Sequence, residues 1–181
     1  MERTTSEAPV RGHELYRFLV RTLFLLEAAT ILVLLLITVA QPTVSRVGLP
    51  NWGLVLLFAG YSLLVDLLQN RLGSSRLLVW KFVADLPVIA LLYFFGAEPG
   101  GPLFALFVLA VDCAAATMTL RGTLLYTTAA LAIVATIDSV LLPEPTSVGD
   151  LRALATRVLV LALIGVGMAI LVRRLLLEQE V

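Results

Sequence analysis

Apolar residues in this chain fall into blocks long enough to cross a bilayer, separated by short polar or turn-forming breaks. A spanning helix takes roughly 20 predominantly apolar residues, and the pattern predicts six, over 18–40, 52–68, 77–95, 102–120, 123–142 and 153–172. The breaks are Gln41–Pro42, the run Gln69, Asn70 and Arg71, the segment GAEPGG at 96–101, Arg121–Gly122, Pro143 with Pro145, and Arg173–Arg174. Pro102 suits a first helical turn, where its missing N–H costs no helical hydrogen bond. The blocks do not alternate apolar and polar residues, which excludes a transmembrane β-barrel. The expected architecture is all-α: a polytopic membrane protein whose six-helix bundle has short connections and antiparallel sequential neighbours. A polar segment, 1–16, precedes the bundle. The stretch 173–181 continues the sixth helix, because no proline or glycine follows Gly167.

Composition agrees with lipid as the solvent. Hydrophobic residues make up 60% of the 181 and charged residues only 14%, where soluble domains average about half and a quarter. The 13 basic and 13 acidic residues cancel, and the basic ones form no stripe or tail, so nucleic acid is not an expected partner. Their placement is informative instead. Arg3, Arg11, Arg17, Arg21, Arg71, Arg76, Lys81, Arg121, Arg173 and Arg174 fall on one side of the six-span arrangement, and Arg46, Arg152 and Arg157 on the other, 10 against 3. The positive-inside rule then puts both termini in the cytoplasm of a cell inner (plasma) membrane. The first apolar block is too long for a signal peptide and stays as an anchor. One cysteine, Cys113, and one histidine, His13, allow no internal disulfide, thiolate cluster or multi-histidine metal site.

Ionisable groups at membrane depth are costly and each is a functional-site hypothesis. Lys81 and Asp85 are four apart on one helix face and are expected to pair. Asp138 and Arg157 lie at similar depth on antiparallel neighbours and are expected to form a structural bridge. Glu27, Asp66 and Asp112 then have no evident partner. Asp112, deepest of these and followed by the small residues Cys113, Ala114, Ala115 and Ala116, serves either as a hydrogen-bonding group at a packing seam or as part of a ligand or proton site. Gly60, Gly165 and Gly167 are candidates for close helix contacts. Lys81, the only lysine, sits too near a helix end for a retinal Schiff base.

The stretch 81–126 carries an aspartate (Asp85) early in the third helix, a short glycine-rich outer loop, a proline (Pro102) opening the fourth helix, and an Arg-Gly turn before the fifth: LPVIALLYFFGAEPGGPLFALFVLAVDCAAATMTLRGTLLY. It resembles the six-helix N-terminal sensor region of membrane histidine kinases, of the type IV pilus sensor and redox-responsive photosynthesis regulator type. The resemblance implies a signalling role and, from the redox-responsive branch, a quinone as cofactor. That branch carries Gly-Gly-x-x-Asn-Pro-Phe in the loop. Gly96 and Pro102 match it, whereas Ala97 and Gly101 replace glycine and asparagine and Phe104 follows one residue late.

The first expectation is therefore a sensory, signal-transmitting module whose sixth helix passes a signal to a cytoplasmic output, with a second copy or another membrane protein as partner. The chain is then a sensor region cut from a longer protein or a stand-alone subunit. The alternatives are a six-helix substrate-binding subunit of a transporter, or an accessory subunit of a larger membrane complex. No HExxH, GxSxG or paired catalytic aspartate motif occurs, so no catalysis is expected from the chain itself.

Overall fold

A computed structural model describes residues 8–72, 75–96, 101–141 and 148–178. Six helices account for nearly all of them: α1 (Ala8–Ala40), α2 (Asn51–Leu72), α3 (Ser75–Phe95), α4 (Phe104–Thr117), α5 (Leu120–Leu141) and α6 (Val148–Glu178). No strand occurs among the described residues, and Val44 and Pro50 form one isolated bridge. Segments of three helices, Arg21–Ala40, Asn51–Leu68 and Leu120–Leu141, are long and apolar enough to cross a membrane.

The distribution of side chains is the reverse of a water-soluble fold's. Leu25, Leu36, Leu57, Leu125, Leu159 and Leu163 are more than half exposed, while Glu27, Lys81, Asp85 and Asp138 are buried. A water-soluble fold keeps such charges outside and such leucines inside. Such an apolar exterior suits a bilayer, and the polar groups find one another within the bundle.

α4 is the central post. It packs against α1, α3, α5 and α6, and Leu106, Phe107, Leu109, Ala110, Val111, Cys113, Ala114 and Ala115 are buried around its circumference. A helix apolar on all sides belongs inside a bundle. Its 14 residues span about 21 Å, short of a ~30 Å hydrocarbon core.

Several boundaries differ from those the apolar pattern predicts, α2 for one running on to Leu72. α1 begins at Ala8, ten residues before the first apolar block, and α6 at Val148 instead of 153. The turn between α4 and α5 is at Met118–Thr119, and Arg121–Gly122 lie inside the first turn of α5. Met118 is extended (φ −99°, ψ 164°) and its N–H bonds Ala114 O. The Thr119 hydroxyl then accepts from Gly122 N–H at 3.3 Å, a side-chain cap that starts a new helix. The α1–α2 loop folds on itself through Ser45 N–H to Leu49 O (2.7 Å), with Gly48 at φ +76°, where glycine is favoured. Arg46 N–H bonds Phe95 O at 2.9 Å, tying that loop to the end of α3.

Candidate functional site

The buried charges gather in two clusters joined by α3. At the first, the Lys81 ammonium on α3 lies 2.9 Å from Glu27 Oε2 on α1 and 2.9 Å from Asp66 Oδ1 on α2. Ser62, one turn before Asp66, donates its hydroxyl to Glu27 Oε1. One cation thus holds three helices. The pairing of Lys81 with Asp85 expected from the sequence is not the one formed. With Asp85 as its partner, Lys81 would leave Glu27 and Asp66 both uncompensated. The observed arrangement uses one ammonium for two carboxylates and is the better electrostatic solution in a medium of low dielectric.

Asp85 lies one turn along α3 and is 6% exposed, and its Oδ1 has no hydrogen-bond partner. The Tyr61 hydroxyl on α2 lies beside the Asp85 carboxyl, close enough to interact with it. Between these groups and α4 lies a cavity of about 10 Å³ lined by Glu27, Lys81, Asp85 and Cys113 with Phe58, Phe82 and Ala110 among its apolar walls. That is the space of about one water molecule.

The second cluster centres on Asp138 of α5, which is fully buried. Its Oδ2 accepts from Arg157 Nη1 on α6 at 2.7 Å and its Oδ1 from the Tyr93 hydroxyl on α3 at 2.7 Å. The Asp138–Arg157 bridge is the one expected from matched depth. Tyr93 is the addition, a phenol held edge-on against Phe107 of α4, with ring centroids 5.5 Å apart at 87°. α3 and α6 do not pack against one another among the described residues, so Asp138 is the polar group that joins them. Tyr93 is twelve residues beyond Lys81, about 18 Å along the helix, and Lys81, Asp85, Ile89 and Tyr93 form one buried stripe.

Of the other sequence candidates, Asp112 joins neither cluster: it is half-buried on α4 and its Oδ1 has no hydrogen-bond partner. Among the glycines, a Cβ on Gly165 would come within 2.5 Å of Thr127 Oγ1 and 3.0 Å of Val111 Cγ1, whereas Gly60 and Gly167 face open space. Gly165 is therefore where α6 presses onto α4 and α5. Ser62, Tyr61 and Tyr93 do not stand out in the sequence. Ser62 and Asp66 share a face at i,i+4 spacing, a signal that becomes readable only once Asp66 is known to point inward. Among the described residues, no group of three or more His, Cys, Asp and Glu side chains is placed to hold a metal ion.

No family model, curated protein or solved structure matches the chain.

Proposed function

We propose that the chain is a sensory, signal-transmitting membrane module, with six spans and both ends on the cytoplasmic side, in which α6 carries the output. The observation behind this reading is the continuity of α6, unbroken from Val148 to Glu178, combined with the bond from Arg157 near its start to Asp138. From Val148 to Glu178 the helix extends about 45 Å, longer than a ~30 Å hydrocarbon core, enough to cross it and emerge as a rod. A change at the Glu27–Lys81–Asp66 cluster moves α3. α3 moves Tyr93, Tyr93 and Arg157 share Asp138, and α6 shifts as a unit. Packed interfaces of this kind respond in small discrete shifts.

The 10-against-3 division of basic residues supports the orientation. The exposed apolar surface of the helices supports the lipid bilayer as surroundings, and a second copy meeting along the α6 extension is the partner this reading calls for. The transporter alternative has no specific observation behind it: the polar cavity has room for about one water, and the larger groove between α3 and α5, about 620 Å³, is lined by Pro87, Leu91, Phe94, Ile133 and Ile137 with Thr136 as its polar side chain. The test is a chimaera with a histidine-kinase output domain joined in helical phase after Val181. Flexible glycines inserted after Arg174 should uncouple the output while membrane insertion is unchanged. Full coupling with the insert contradicts a rod.

A further inference from the structure

We infer that an open seam on α4, at Asp112, receives one transmembrane helix of another protein that carries a lysine or arginine at the depth of Asp112. The argument starts from the packing. α1 meets α2, α2 meets α3, α3 meets α5 and α5 meets α6, a ring around α4 that stops short of closing. Among the described residues α6 and α1 do not pack on one another, although both pack on α4. The exposure of α4 follows that gap. From Ala105 to Ala116 every position is buried except Ala105, Val108, Asp112 and Ala116, which are half-buried. Their spacing of three or four residues puts them on one face of the helix. On one side of this face Val111 lies against Gly165 of α6, and on the other Leu109 and Cys113 line the cavity shared with Glu27 of α1. The face therefore sits in the seam between α6 and α1.

Charge says what fills it. The other acids at membrane depth meet partners within the bundle: Glu27 and Asp66 share Lys81, Asp138 has Arg157 and Tyr93, and Asp85 lies beside Tyr61. Asp112 forms no ion pair among the described residues, and its Oδ1 has no hydrogen-bond partner. Lys81 and Arg157, the cations at that depth, are already committed, so a counter-charge has to come from outside the chain. Lipid tails offer none, and Asp112 of a second copy would bring a like charge. Acids within spans pair with basic groups, and a basic residue on a neighbouring helix is the complement. Ala105, Val108 and Ala116 around the acid are small enough to let such a helix approach closely. The inference goes beyond signalling and stands whether or not α6 carries an output.

The experiment measures energy transfer in phosphatidylcholine vesicles between the whole chain, labelled at its C-terminus, and synthetic lysine-flanked peptides of leucine and alanine long enough to span. One peptide carries a single central arginine and the other leucine in its place. The arginine peptide should bind the wild type roughly tenfold more tightly than the leucine peptide, or better. The preference should disappear in Asp112→Asn, and in Ala116→Leu, which blocks the seam without touching a charge and serves if the first variant does not fold. Equal binding of the two peptides by the wild type overturns the proposal, as does a preference that both variants retain. Energy transfer between two differently labelled copies of the wild type that Asp112→Asn abolishes assigns the seam to a second copy and overturns it as well.

Discussion

At the scale of single residues, the account rests on which carboxylate meets which cation. Replacing Lys81 by methionine leaves the buried Glu27 and the partly buried Asp66 with no counter-ion, and removing one partner of a buried pair costs about 3–5 kcal/mol. Unfolding of Lys81→Met in bicelles should show that loss, and the triple variant Lys81→Met, Glu27→Gln, Asp66→Asn should recover much of it. A triple variant no better than the single would mean the charges do not interact as described. The same logic applies to Asp138. Arg157→Ala should destabilise more than the apolar pair Asp138→Leu with Arg157→Leu, and Tyr93→Phe should cost about 1.5–3 kcal/mol, the worth of a hydrogen bond to a charged group. The Asp138–Arg157 bridge was legible because adjacent antiparallel helices fix relative depth. The Lys81 partners were not. The spacing of four to Asp85 is visible in one helix, whereas Glu27 and Asp66 reach Lys81 only through the packing of α1 and α2 against α3 and its neighbours.

At the scale of helices, apolar block length predicts the number and order of elements well and their ends less well. The reason is local chemistry that hydropathy ignores. Thr119 caps a new helix just before the Arg-Gly pair that reads as a turn. α1 extends back to Ala8 because its one proline, Pro9, falls in the first turn, where proline is tolerated. Glycine spacing is similarly silent on which glycine matters, since Gly165 and Gly167 differ only in the face they occupy. Gly165→Ala forces its methyl into Thr127 and Val111 and should cost about 1–3 kcal/mol as overpacking. Gly167→Ala, in open space, should be neutral or slightly stabilising by helix propensity. Thr127→Ala should relieve part of the Gly165→Ala loss in thermal unfolding. Equal effects at both glycines would contradict the close approach of α6 to α5.

At the scale of the molecule, the fold is an inside-out arrangement, with leucines exposed on the outside and two polar clusters within, tied end to end by the buried stripe of α3. Reporter fusions after Gly73 and Val181 should report the cytoplasm and one after Gly100 the exterior, and an external signal at Val181 contradicts the orientation. The central claim is that the Lys81 cluster and the far end of α6 are mechanically joined through Asp138. Pulsed electron spin distances between labels at Arg71 and Glu178 measure it directly. Lys81→Gln should shift the distance distribution by on the order of 1–2 Å, and the Asp138→Leu, Arg157→Leu background should abolish that shift. A distribution unchanged by Lys81→Gln in a variant that is still folded would contradict the account.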